Sequence, residues 1–118
     1  MAFSPKAKRM SVACDGGQIM IFDLESYEKV GQVTAQKEEI TALLYSRPDQ
    51  LVIGQDFGYL DVLSFGSAKV TVTHSLCIKA AGDINDMVVG KEAGEFLVAC
   101  EKGLLLGYVN TEGVFDVK

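Results

Sequence analysis

The sequence predicts an all-β chain of three repeated four-stranded antiparallel units, and three observations lead there. A tight acidic-glycine turn feeding a short apolar strand occurs three times, as Cys14-Asp15-Gly16-Gly17-Gln18-Ile19-Met20-Ile21-Phe22-Asp23-Leu24, as Gln55-Asp56-Phe57-Gly58-Tyr59-Leu60-Asp61-Val62-Leu63 and as Cys100-Glu101-Lys102-Gly103-Leu104-Leu105-Leu106-Gly107-Tyr108-Val109. The turn glycines Gly17, Gly58 and Gly103 stand roughly 40–45 residues apart, the period of a repeat architecture. Each turn follows a matching run that ends in a small residue and then a polar or thiol one: Val12-Ala13-Cys14, Ile53-Gly54-Gln55 and Val98-Ala99-Cys100. Finally, Ile19-Met20-Ile21-Phe22, Leu51-Val52-Ile53, Phe96-Leu97-Val98-Ala99 and Leu104-Leu105-Leu106 are apolar on both strand faces, so both faces of each sheet need covering.

Taken in order, Ala2-Phe3-Ser4 reads as the end of a strand, stopped by Pro5, which cannot continue a central ladder. Lys6 to Arg9 is a basic loop. Strands follow from about Met10 to Cys14 and from Gln18 to Asp23, joined by the hairpin chemistry of Asp15-Gly16-Gly17. Leu24 to Glu28 is a polar loop, and Lys29 to Thr34 is an outer strand. Ala35 to Tyr45 carries a competing helical signal, since Ile40, Leu43 and Leu44 share a helical face and Thr34 can cap it. The repeat register instead makes Ile40 to Ser46 a strand, in the place that Ala2-Phe3-Ser4 holds in the first unit.

Leu51 to Gln55, Tyr59 to Phe65 and Lys69 to Ser75 complete the second unit, and Leu76 to Asp83 is a joint. The third unit repeats the order with Ile84 to Val89, Glu95 to Cys100, Leu104 to Val109 and Val114 to Val117. The mixed polarity of Lys29 to Thr34 and of Lys69 to His74 suits strands at the periphery. Units of approximately 1–34, 35–75 and 76–118 result, forming one repeat region. Small sheets stacked face to face around an axis accommodate inner strands that are sandwiched and outer strands that are half wet.

Composition narrows the classes. A chain of 118 residues with 48% hydrophobic content and a net charge of −5 fits a folded globular protein. The acidic balance argues against nucleic-acid binding and favours basic partners. The sequence contains neither an apolar run of membrane-spanning length nor the apolar core of a signal peptide, so the expected location is intracellular, in the cytoplasm. Three cysteines without close spacing make neither a disulfide framework nor a zinc site. Cys14 and Cys100, at equivalent strand ends, are expected to be buried thiols.

The chain resembles the WD-repeat β-propeller family. The residues that carry the resemblance are the Phe3-Ser4-Pro5 opening, Val12-Ala13-Cys14-Asp15-Gly16-Gly17, and the Phe22-Asp23-Leu24 ending, which look like strand A, strand B with its turn, and strand C of such a blade. The likeness covers essentially all 118 residues at under three blades. It departs from the family pattern in lacking tryptophan, with Phe22-Asp23, Leu63-Ser64 and Tyr108-Val109 where a Trp-Asp pair would stand. No Gly-His pair precedes a unit, and the sole histidine, His74, lies in an outer strand. The resemblance implies repeated four-stranded antiparallel blades of a partial propeller. Propellers close with ~4–8 blades, so the chain is expected to be completed by further blades or by oligomerisation. The rival with the same arithmetic is a β-trefoil, three ~40-residue units of four strands each.

Motifs that could carry chemistry are sparse. Asp56-Phe57-Gly58 spells a kinase magnesium motif without any of its companions and reads as a hairpin turn. A Cys/His nucleophile would have to use His74, and nothing in the sequence sets it beside an oxyanion site. Glu38, Glu39, Asp83 and Asp86 lack calcium-loop spacing and read as solvated connections. No catalytic residue, cofactor or metal site is expected. The resemblance implies a non-catalytic scaffold that binds protein partners; the alternative is an enzyme or hydrolase-type subunit on a propeller or trefoil. In a propeller, one end collects Asp15, Asp56, Glu101, Glu38, Glu39 and Asp83 around Phe57, the only large apolar residue at a turn tip there. Phe57 with Asp15, Asp56, Glu101, Glu38 and Glu39 is therefore the candidate site for a basic, partly apolar protein segment. The competing expectation is that Phe57 folds back on its own blade. Lys6, Lys8, Arg9, Arg47 and Lys91 fall at the other end.

Overall fold

Hairpin turns at fixed intervals and strands too apolar to leave either face wet give, in the computed structural model, twelve strands among the described residues. They are β1 (Ala2–Phe3), β2 (Arg9–Cys14), β3 (Gln18–Asp23), β4 (Lys29–Thr34), β5 (Ile40–Arg47), β6 (Gln50–Gln55), β7 (Tyr59–Phe65), β8 (Val70–Cys77), β9 (Ile84–Val89), β10 (Glu95–Cys100), β11 (Gly103–Val109) and β12 (Phe115–Val117). The structure describes residues 2–3, 8–14, 17–34, 39–65, 70–78, 82–111 and 114–117. The strands form three four-stranded antiparallel sheets, β1 to β4, β5 to β8 and β9 to β12, each a meander with its strands in chain order. Among the described residues no strand is shared between sheets; the inner pairs of the first two sheets keep one register about their turns, whereas in the third the turn is one residue shorter and Cys100 pairs with Gly103.

The segment with the competing helical signal is a strand from Ile40 to Arg47, and residues 35–38 of that signal lie outside the described residues. Its side chains show why. Leu43 and Tyr45 turn toward the first sheet, while Ala42 and Leu44 turn toward the third, an alternation of period two that a helix could not supply. Several strands run a residue or two longer than the sequence indicates. β8 continues past Ser75 because Leu76 and Cys77 find partners in Leu60 and Tyr59, and β6 starts at Gln50, which pairs with Ser64.

The middle sheet is covered on both faces. Leu51, Ile53, Leu63 and Tyr45 pack with Ile19 and Ile21 of the first sheet. Val52, Leu60 and Val62 pack with Ile84, Met87, Phe96, Val98 and Val109 of the third. The sheets approach most closely along β1, β5 and β9, an inner line about which they stack as propeller blades do. This is the partial propeller expected from the repeat, and not the trefoil.

Close packing depends on small residues at two places. A Cβ at Gly54 would lie 2.8 Å from Ile84 Cγ2, and one at Gly107 would press into the fully buried Phe96 ring. Between the first two sheets, the hydroxyls of Ser11 and Tyr45 hydrogen-bond in a buried setting. Burial pushes the Tyr45 phenol above its ordinary value, against the opposing pull of the Ser11 hydrogen bond and of Arg9.

This packing sets two expected outcomes. Gly107→Val should cost about 1–3 kcal/mol by overpacking against Phe96, read by urea denaturation, whereas Val114→Ala, at an exposed position, should change the midpoint little. Because the folded state raises the Tyr45 pKa, the stability it contributes is whole below about pH 10 and is lost as pH rises through the raised value. Absorbance titration should show a phenol ionising above the ordinary value, and Tyr45→Phe should remove that step.

Candidate functional site

The end of the molecule carrying the β2–β3, β6–β7 and β10–β11 turns is built by backbone geometry first. In the second sheet the turn is a single 3-10 turn, Asp56–Gly58, in which Phe57 takes a left-handed conformation with φ 61° and ψ 21°. Gly58 follows with φ 80°, and a Cβ there would collide with the Ile78 carbonyl oxygen. The Ile78 N–H donates to the Gly58 carbonyl at 2.8 Å, so the chain leaving β8 lies against the turn. A left-handed non-glycine residue is uncommon, and here a hydrogen bond helps to hold it. The Phe57 N–H donates to Asp83 Oδ1 at 2.8 Å. Phe57 is 62% exposed, so it does not fold back on its own blade.

At the same end a repeated bond closes the ladder between the first and second strands of a sheet. The Asp56 N–H donates to the Glu39 carbonyl at 3.1 Å, and the Glu101 N–H donates to the Asp83 carbonyl at 2.9 Å. Asp83 thus serves two turns, its main chain holding the third sheet's turn and its side chain the second's. The sequence reading of Asp83 as a solvated connection misses this. The available signal was positional: Asp83 precedes Ile84 as Glu39 precedes Ile40. Phe57, Tyr59, Cys77 and Gly82 line a hollow of about 290 Å³ beside the turn.

Of the expected site residues, Phe57, Asp56, Glu101 and Glu39 come together at this end, with Glu39 and Glu101 exposed and Asp56 half-buried. Asp15 and Glu38 lie outside the described residues. Lys102, also exposed, stands beside Glu101 and offsets part of its charge.

The opposite end is mixed in charge. Lys8 and Arg9 share a hollow of about 250 Å³ with Asp23, Glu25, Pro48 and Asp49. Arg9 donates to the Pro48 carbonyl at 3.3 Å and stacks over Phe65, 4.8 Å from the ring centroid. Arg47 donates to the Tyr108 hydroxyl and to the Val109 carbonyl, both at 3.2 Å. The Asp23 carboxyl is held below its ordinary value chiefly by the backbone N–H groups of Glu25 and then Ser26, against a smaller opposing effect of burial and with help from Arg9.

The nucleophile candidates have structural duties. His74 Nδ1 accepts a hydrogen bond from the Phe115 N–H at 3.0 Å and its ring lies 5.5 Å from that of Phe115, tying β8 to β12. Cys14, Cys77 and Cys100 are free thiols; Cys100 is buried as expected, while Cys14 is only partly so. Among the described residues, no helix is long and apolar enough to cross a membrane.

No protein-family model matches the sequence, and no curated protein matches it. Solved structures do match. The WD40 repeats of RRP9 superpose with a TM-score of 0.75 at 15% identity, over 99% of this chain and 35% of that one. The β-propeller domain of Myceliophteria thermophila Cps50 (Swd1) does so with a TM-score of 0.72 at 18% identity, over 98% of this chain and 36% of that one. The chain spans about a third of the length of these structures, and its fold is that of β-propeller blades.

Removing the Asp83 side chain tests how the turn is held. Asp83→Ala should cost about 1 kcal/mol and speed hydrogen exchange at the Phe57 amide, leaving amides of the first sheet unchanged. At the other end, the lowered Asp23 pKa means that its contribution is present above the ordinary carboxylate range and is lost as pH falls through the lowered value. A carboxyl titration followed by NMR should place the Asp23 midpoint below 3.8.

Proposed function

We propose that the chain is a non-catalytic, intracellular protein-binding segment of a propeller, and that its working surface is the turn end around Phe57. The observation that carries this reading is the exposed aromatic ring at a turn whose backbone is fixed by Asp83 and Ile78. A large apolar side chain held out on a braced turn loses little conformational freedom on binding, and aromatic residues of this kind dominate interface energetics. The hollow next to it, floored by Tyr59, Cys77 and Gly82, can take an apolar side chain from a partner.

The surrounding carboxylates define the rest of the partner. Glu39, Asp56 and Glu101, with Asp15 and Glu38 proposed alongside them from the repeat, favour a basic segment and speed its encounter. The partner is thus a protein segment that combines Lys or Arg residues with at least one apolar anchor. No nucleic acid, metal or cofactor enters this reading.

A panel of basic peptides with and without a central leucine or aromatic residue, measured by surface plasmon resonance, tests it. Peptides with the apolar anchor should bind, and Phe57→Ala should weaken them by about 2 kcal/mol. Asp56→Asn and Glu101→Gln should mainly slow association and flatten its salt dependence. Affinity unchanged by Phe57→Ala, with association independent of salt, would remove this end from consideration.

A further inference from the structure

The three sheets carry the same face at matching positions of their second strands, and among the described residues only two of those faces are covered. In the first sheet the pairs Ser11↔Ile21 and Ala13↔Ile19 look toward the second sheet. In the second, Val52↔Val62 and Gly54↔Leu60 hold the same positions and look toward the third. In the third, the equivalents are Leu97↔Leu106 and Ala99↔Leu104. Ile19, Ile21, Leu60 and Val62 are fully buried, whereas Leu104 is 67% and Leu106 is 46% exposed. Val88, half exposed, extends this outer face, and Asp86, Met87, Val88, Leu97, Ala99 and Leu104 line a shallow hollow of about 80 Å³ in it. The hollow sits over Ala99, the counterpart of Gly54, against which Ile84 and Met87 of the next sheet are packed.

The covered faces show what such a surface accepts. The second sheet covers the first with Leu51↔Leu63 and Ile53↔Asp61, and the third covers the second with Phe96↔Gly107 and Val98↔Leu105. The first sheet carries the same covering positions as Met10↔Phe22 and Val12↔Met20, half-buried side chains on the face turned away from the second sheet. One chain therefore presents an acceptor face at one side and a matching covering face at the other.

We propose that the exposed face of the third sheet is an interface for a second copy of this chain, which docks the outer face of its own first sheet there. The contact is head to tail, so two copies meet twice and close a ring of six sheets, within the ~4–8 blades that propellers use.

Light scattering on the wild-type chain and on Leu106→Lys, Leu104→Lys and Met20→Glu variants tests this, with circular dichroism to verify that each variant is folded. Wild type should show twice the chain mass. Each folded variant alone should show the single mass, with dimerisation weakened at least about tenfold, and mixing Leu106→Lys with Met20→Glu should restore the double mass through opposite charges at the altered contact. Leu104→Lys, at the most exposed position, keeps the test open should Leu106→Lys fail to fold. A wild-type chain of single mass that binds little hydrophobic dye would overturn the proposal, leaving a fourth sheet of a longer polypeptide as the occupant. A double-mass particle untouched by all three substitutions would place the interface elsewhere. Loss of association in the third-sheet variants but not in Met20→Glu would show a face-to-face pairing of third sheets, and would equally overturn it.

Discussion

The middle sheet is apolar on both faces, and the rest of the structure depends on covering them. Alternation along β6 sends Leu51 and Ile53 into one core and Val52 into the other, so neither core can form without a neighbouring sheet on that side. At about 25 cal/mol for each Å² of apolar surface removed from water, stacking rather than the hydrogen-bond ladder supplies the drive. Gly54 sets the separation of the second and third sheets, since Ile84 leaves no room there for a Cβ, and Gly107 makes room within the third sheet for the Phe96 ring.

Stacking leaves the turn ends to be fixed by polar contacts. Glu39 and Asp83 play one role in successive sheets, each accepting from the first turn residue through its carbonyl. Asp83 adds a side-chain bond to the Phe57 N–H across the gap between sheets. The turn that displays Phe57 is thereby linked to how the second and third sheets sit together, and the display of the ring is a consequence of blade packing.

Strand positions were legible in the sequence because the turn glycines and the two-residue alternation recur, and Gly17, Gly58 and Gly103 all take positive φ. The helical alternative at 35–45 failed on the residues the structure describes because Leu43 and Leu44, neighbours on a helical face, belong to opposite faces of a strand. What sequence could not give was contact over distance. The exposure of Phe57 follows from Ile78 lying against Gly58, and the Ser11–Tyr45 pair joins residues of different sheets. Of the site, Asp56, Glu101, Glu39 and Phe57 were placed at one end from the strand order alone. The expected contrast in charge between the ends is weaker than the bases suggest, because Asp23, Glu25 and Asp49 accompany Lys8 and Arg9, and Lys102 accompanies Glu101.

Native-state hydrogen exchange across the strands tests the central place of the two-faced sheet most directly. If both cores depend on it, amides of β6 and β7 will exchange only through global unfolding, with the highest protection in the molecule. Exchange of β6 and β7 through a local opening, at lower free energy than the strands of the first or third sheet, would contradict the account.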